Sequence, residues 1–348
     1  MPAGPAYIQG MRWFRLIALA TAAIGVAACS GGPAPTAAPT TDAAPPPASW
    51  AKLRPVPGVV DLAARSDGSF LVAAAGRLLL LTPDGSLIMF ARGAAGYQTA
   101  TGTEPYLATV TSVPVAGEQC SFLKDTAFAL QPGALPEVIM ISPQGTSRTF
   151  AILPPGRSLT GIAFDSTGRF GHRLLVTAGW RGRSSVFGIG CDGQWSVVAD
   201  NGPPVEGGIV VAPATFGRYG GDLIAPDEST GRVYAATPSG AVVTLAQSAL
   251  PAGGDIGLES AGFVPAGATT AYLADRFSAG NKHPGDDTIL SLPAAQLTRA
   301  GIRAGDLLVA TEGGAKTIDV RCADTCAVRY VAAGPVIAHS EGHIVFAS

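Results

Sequence analysis

Three of the eight glutamates in this chain stand at the entrance to a short apolar run: Glu104-Pro105-Tyr106, Glu206-Gly207-Gly208 and Glu259-Ser260-Ala261. Glu341-Gly342-His343 has a similar form, and could be a fourth entrance or a turn at the other end of a strand. Carboxylates held close together repel unless a cation or a shared proton compensates. A converging set is the chemistry of a hard cation, and calcium takes roughly six to eight oxygen ligands. Glu104, Glu206 and Glu259 are therefore candidate ligands for Ca2+ or another divalent cation. The competing role is capping of backbone amides, or facing solvent, around a wide channel. A second group, Trp180, Arg181, Asp227 and Asp275, lies in polar links between later strands, together with Arg183, Glu228, Arg276, Glu312 and the long loop 277–287. Trp beside Arg suits contact with a ligand or partner, and a solvated rim is the alternative.

The elements that must position these residues are short strands. Residues 59–62, 70–72, 78–81 and 87–90 are apolar runs separated by Asp67-Gly68 and Pro83-Asp84-Gly85, which is hairpin chemistry. The pattern recurs from Gly161 and again from Gly208. Six second-strand segments, 69–74, 126–130, 173–178, 222–226, 271–275 and 306–311, recur at a spacing of roughly 50 residues, the period of propeller blades. Only 293–301 reads as helix. The fold class is all-β, a six-bladed β-propeller over residues 51–348. Its last blade is irregular: 306–311, 316–321 and 327–331 supply three strands, and 336–347 is left to close the ring. In such a blade the entry to the inner strand and the link between the second and third strands share one face. The glutamates should therefore converge on the axis, with Trp180, Arg181, Asp227 and Asp275 around them.

Cys120 and Cys191 fall in loops on the opposite face of adjacent blades and are expected to pair; Cys322 and Cys326 flank a hairpin turn and should pair locally. Zinc is the rival use of these cysteines, but the Cys-x3-Cys spacing without a nearby His pair fits it poorly.

Before the strands comes a different kind of sequence. Met11 to Arg15 is a basic head, Leu16 to Ala28 an apolar run too short to span a bilayer, and Val26-Ala27-Ala28-Cys29 closes it with small residues. The tetrad resembles the lipobox of bacterial lipoproteins. The resemblance implies a signal peptide over 1–28, lipidation of Cys29, a membrane partner through that anchor and an extracytoplasmic location. Residues 29–50, rich in Pro, Ala and Thr, read as a tether that cannot bury enough surface to order itself. The formal net charge is −2, and loss of Arg12 and Arg15 with the signal makes it more negative, which gives no basis for nucleic-acid binding.

Gly161-Ile162-Ala163-Phe164-Asp165 through Gly168, and Gly221-Asp222 through Tyr234, resemble the strand-and-turn phrase of NHL and gluconolactonase-like (SMP-30) six-bladed propellers. That family implies a divalent metal held by an acid in the position of Glu206. Here Gly208 replaces the family's usual proline, and its Asn and Asp ligands have no clear match. The leading expectation is a lipid-anchored binding module for a protein or small molecule. The alternative is a metal-dependent hydrolase of the lactonase type. Gly188-x-Gly190-x-x-Gly193 matches a dinucleotide-binding string, but no helix follows it. His172, His283, His339 and His343 form no recognised metal or catalytic spacing.

Overall fold

The computed structural model describes residues 47–91, 104–110 and 120–348. Cys29 and most of the tether lie outside them. The chain divides at Ala44/Pro45, and all the described residues belong to the unit Pro45–Ser348. Among them the architecture is all-β apart from one short α-helix, Ala294–Arg299, and one 3-10 turn, Gly217–Tyr219.

Four sheets have four strands each, ordered from axis to rim as they occur in the chain. The first is Val59–Ala64, Phe70–Ala74, Arg77–Leu81 and Leu87–Met89; the second is Leu107–Thr109, Ala127–Gln131, Glu137–Ile141 and Ser147–Ile152. The third is Ser158–Phe164, Leu174–Trp180, Arg183–Ile189 and Trp195–Gly202; the fourth is Val210–Val211, Leu223–Asp227, Arg232–Ala236 and Val242–Gln247. Each is an antiparallel meander, as hairpins closed by Gly-bearing turns require.

The fifth sheet has nine strands and departs from chain order. Leu258–Phe263 does not pair with the next strand in sequence, Thr270–Asp275. It pairs with Leu307–Thr311, which continues outward through Thr317–Cys322 and Cys326–Ala333. Thr270–Asp275 pairs instead with the strand Ser340–Ala347 on one side and Thr288–Pro293 on the other, and Thr288–Pro293 pairs outermost with Ala51–Pro55. The two halves meet at a single parallel pair, Ala261 with His343. The irregular end of the sequence is thus an exchange of strands. Residues 340–347 form an inner strand, and it completes the sheet of residues 270–293 rather than that of 306–331. Residues 51–55 and 340–347 thus belong to one half-sheet, far apart in sequence and joined through Thr270–Asp275 and Thr288–Pro293.

The fold includes residues slightly before the start read from the sequence. Ala48–Ser49 pairs in parallel with Ala332 and Ala333. Trp50 is buried, and its indole N–H donates to Thr317 Oγ1 at 2.8 Å. Three residues that look like tether therefore belong to the fold.

The inner strands of the five sheets pack side by side around the axis, and apolar clusters fill the wedges between sheets. Between the second and third, Phe122 meets Phe128, Phe150 and Phe164 edge-on, with ring centroids 5.3–6.0 Å apart. Burial of each such side chain contributes about 1.5–3 kcal/mol. Cys191 packs on this cluster and forms a disulfide with Cys120 that ties the two sheets together. The second disulfide, Cys322–Cys326, closes a hairpin.

Candidate functional site

Glu104 and Tyr106 precede the inner strand Leu107–Thr109 in a tight turn, where Tyr106 N–H donates to Glu104 O at 3.0 Å, and their side chains meet at one point. Tyr106 is fully buried. Its hydroxyl lies 2.8 Å from Glu259 Oε1, 3.0 Å from Glu341 Oε2 and 3.4 Å from Glu104 Oε2. Glu259 reaches this point because it is the extra residue of a bulge: Leu258 pairs with Thr311, and Ser260 with the very next residue, Ala310. A bulge re-aims one side chain out of the ladder. Gly207 permits the crowding. Its φ is +82°, and a Cβ there would meet the Glu259 carboxylate at 2.3 Å.

Six glutamates converge here: Glu104, Glu206, Glu228, Glu259, Glu312 and Glu341. Two cations answer them. Arg276 donates to Glu104 and, at 3.1 Å, to Glu341 Oε1. His339 Nε2 lies 2.8 Å from Glu312 Oε1 and 3.4 Å from Glu341 Oε1. Burial opposes charge on His339, but the hydrogen bonds it donates to Glu312 and Glu341 raise its pKa to about 10, so it is an imidazolium at neutral pH. The surplus of acid is relieved by protons. Burial, reinforced by Glu341 and Glu206, pushes Glu259 well up. A neutral Glu259 can donate to the Tyr106 oxygen while the Tyr106 proton goes to Glu341. Burial and then the charges of Glu104 and Glu341 bring Glu206 to about 7. Burial and then the hydrogen bond with Glu312 bring Glu228 to about 8.

These partners bear on metal binding. Glu104, Glu206 and Glu259 come together, but they share protein partners instead of one open coordination point: a guanidinium bonds Glu104 and a phenol bonds Glu259. Among the described residues, the group with suitable ligand atoms is Glu312, His339 and Glu341, whose atoms all lie within 4.8 Å of one another. Two carboxylates and an imidazole fit a divalent cation that accepts nitrogen, in exchange for the proton on His339 Nε2.

A cleft of about 430 Å³ opens beside the cluster, between the third and fourth sheets. One wall is the hairpin tip Trp180-Arg181-Gly182-Arg183. Arg181 and Gly182 both have positive φ, +51° and +72°, and Trp180 pairs with Arg183 across them. The indole lies on Gly156, where a Cβ would come within 2.9 Å of the ring, and the Arg181 guanidinium sits 5.1 Å from its centroid. Ser158, Thr160, Glu206, Glu228 and Ser229 supply polar groups to the lining, and Pro204 and Val205 an apolar part of it.

Solved structures of similar fold exist. Virginiamycin B lyase from Staphylococcus aureus aligns at 11% identity over 81% of this chain and 88% of that one, with a TM-score of 0.45. A gluconolactonase from Xanthomonas campestris aligns at 14% identity over 68% and 71%, TM-score 0.41. The PQQ-bound aldose sugar dehydrogenase from Streptomyces coelicolor aligns at 16% over 71% and 99%, TM-score 0.44. No protein-family model and no curated protein sequence matches the chain. The likeness is one of fold alone, and the chemistry must be read from the residues present.

The ligand-binding group expected from the sequence is divided. Trp180 and Arg181 are on the cleft. Asp227 touches it, but its carboxylate is taken up by its own turn, accepting from Ser229 N at 2.9 Å and from the Thr230 hydroxyl. Asp275 is fully buried elsewhere, accepting from His339 N at 2.9 Å. Tyr106 and His339 are the members that sequence reasoning passed over. Each sits two residues from a site glutamate, Tyr106 after Glu104 and His339 before Glu341. That alternation was the available signal.

The other missed residue is His343, two positions beyond Glu341. Its Nδ1 lies 2.9 Å from Asp61 Oδ2, and its Nε2 lies 3.1 Å from both Ile162 O and Ile209 O. The ring crosses the axis and links the inner strands of the first, third and fourth sheets to its own. An imidazole thus spans the axis.

Proposed function

We propose that this chain is a lipid-anchored, six-bladed propeller of the cell envelope that binds a small ligand in the cleft between its third and fourth blades. The count of six takes the nine-stranded sheet as two blades joined at Ala261 and His343. The observation that carries the reading is the cleft itself: about 430 Å³, with an aromatic wall at Trp180 and two proton-bearing glutamates, Glu206 and Glu228, at its inner end. Concave sites of this size with a few convergent polar groups are the usual form of a small-molecule pocket. The anchor is Cys29, placing the domain outside the cytoplasm with the membrane as its partner and no role for nucleic acid. A thermal-shift screen of the full chain against a library of polar metabolites tests the binding role. Stabilising compounds are expected, and their effect should vanish in Trp180→Ala. A library without such compounds would remove the reading. Cys29→Ala should shift the protein out of the membrane fraction.

A second reading, a metal-dependent hydrolase of the lactonase type, is favoured by the proximity of Glu312, His339 and Glu341 and by Glu228, which lines the cleft and hydrogen-bonds Glu312. These residues would hold the cation, which when bound would polarise a carbonyl and acidify a water. Glu228 would pass a proton between cleft and centre. Metal analysis of the purified chain, with Ca2+, Mn2+ and Zn2+ titrations of wild type and Glu341→Gln, separates this reading from the first.

A further inference from the structure

The geometry points to a carbohydrate as the occupant of the cleft, with the flat face of one sugar ring stacked on Trp180 and its hydroxyls directed at Glu206, Glu228, Ser158 and Ser229. This inference rests on the ligand-binding reading above and narrows it to a chemical class.

Three features of the lining select among ligands. Trp180 is 44% exposed, yet its indole is seated on the Gly156 backbone and carried by a two-residue hairpin turn, so it is a fixed plate and not a mobile rim residue. A plate held in advance loses little freedom when a ring stacks on it. The inner end of the cleft carries the carboxyls of Glu206 and Glu228 and the hydroxyls of Ser158 and Ser229, groups that hydrogen-bond sugar hydroxyls. An apolar ligand would leave those groups unpaired, which is costly. A compact anion would lie against Glu206 and Glu228, with four more glutamates behind them. A ligand with one apolar face and a periphery of hydroxyls satisfies both ends, and that describes a pyranose. The one group over the plate is the Arg181 guanidinium, 5.1 Å from the ring centroid on an exposed side chain. A cation–π contact at an exposed site is weak, so Arg181 can swing aside. Arg183, paired opposite Trp180, stands at the mouth to meet a second sugar unit.

The test is an array of neutral, amino and acidic oligosaccharides probed with the full chain, followed by calorimetry on the best binder. Selective binding is expected. Trp180→Ala should weaken it at least about tenfold, while Trp180→Phe, which keeps a plate, should stay within about threefold. Arg181→Ala should leave a neutral sugar within about threefold of wild type, because the guanidinium is a cover and not a ligand. Unchanged melting temperatures in all three variants show that the fold is intact. A blank array, or Trp180→Ala binding as wild type does, overturns the carbohydrate assignment. If the metabolite screen still yields Trp180-dependent compounds in that case, the cleft binds another class and the broader reading stands. If both are blank, both fail. Loss of binding in Arg181→Ala comparable to that in Trp180→Ala would identify an anion as the ligand and overturn the inference.

Discussion

His343 and Asp61, 282 residues apart in sequence, form a buried ion pair on the propeller axis. His343 Nδ1 lies 2.9 Å from Asp61 Oδ2, and the His343 backbone N–H donates to Asp61 Oδ1 at 2.7 Å. Asp61 also accepts from Leu107 N at 2.7 Å, so one carboxylate fastens the second sheet and the C-terminal strand to the first. Both imidazole nitrogens face acceptors, because Nε2 points at the carbonyls of Ile162 and Ile209. Only the protonated ring can donate from both.

The first prediction concerns this pair. Burial opposes the charged ring, but the Asp61 charge and hydrogen bonds raise its pKa above the ordinary histidine value. A raised folded pKa stabilises the fold fully below the unfolded pKa of about 6.5, and the contribution fades as pH rises through the folded value. Urea denaturation should show stability falling as pH rises above about 6.5, with that part of the slope absent in His343→Gln. His343→Ala leaves a buried carboxylate without its charge partner and should cost about 3–5 kcal/mol. A cost below about 1 kcal/mol would show that the axis is held by the strands alone.

The two disulfides should differ in weight. Cys120–Cys191 closes a loop of sequence separation 71 and joins two sheets, whereas Cys322–Cys326 spans a separation of 4 within one hairpin. On the chain-entropy account the first is worth about 4 kcal/mol and the second about 2. Denaturation of the Cys120→Ser/Cys191→Ser and Cys322→Ser/Cys326→Ser pairs checks the order. Equal losses would mean that native-state packing, not loop closure, sets the value.

What could be read from the sequence depended on whether the signal was local. Glu104, Glu206 and Glu259 were recognisable because each opens an inner strand, and strand entrances are marked by turn residues. The disulfide partners followed from the same count of strands. Strand exchange between 258–263 and 340–347 left no local mark, since each strand has proper alternation and turn chemistry whichever sheet it joins. His343 was opaque for the same reason: its partners, Asp61, Ile162 and Ile209, are fixed only by closure of the ring. Asp227 borders the cleft, but its carboxylate is engaged by its own turn, which local sequence does not reveal. A buried carboxylate that caps its own turn has the same sequence context as one that faces a ligand.

Proton binding by the cleft should be visible in stability. Glu206 and Glu228 titrate at about 7 and about 8 in the folded chain, against 4.5 without the fold. Between those limits the native state binds more protons than the unfolded state, so stability falls as pH rises. Melting temperature followed from pH 5 to about 8.5 should decline, and Glu206→Gln should flatten the decline while stabilising the alkaline end by roughly 1–3 kcal/mol after solvent screening. A Glu206→Gln variant that melts lower at every pH would show that the carboxylate is ionised and held by a cation.

Arg276 and Glu341 give the last test, because their roles can be separated from each other. Arg276 donates to Glu104 and Glu341, while Glu341 also meets Tyr106 and His339. Arg276→Met removes one of the two cations that meet the six glutamates among the described residues. Glu104, whose pKa burial already raises, can take up a proton, so the loss should grow with pH. At pH 8 it should approach the cost of about 3–5 kcal/mol for breaking a buried pair, and at pH 5 it should be much smaller. Adding Glu341→Gln removes one of the stranded charges and keeps a hydrogen-bond acceptor for Tyr106. The double variant should therefore be more stable at pH 8 than Arg276→Met alone, a coupling of opposite sign to simple additivity. Additive losses at both pH values would mean that Arg276 acts through packing of its side chain and not through its charge.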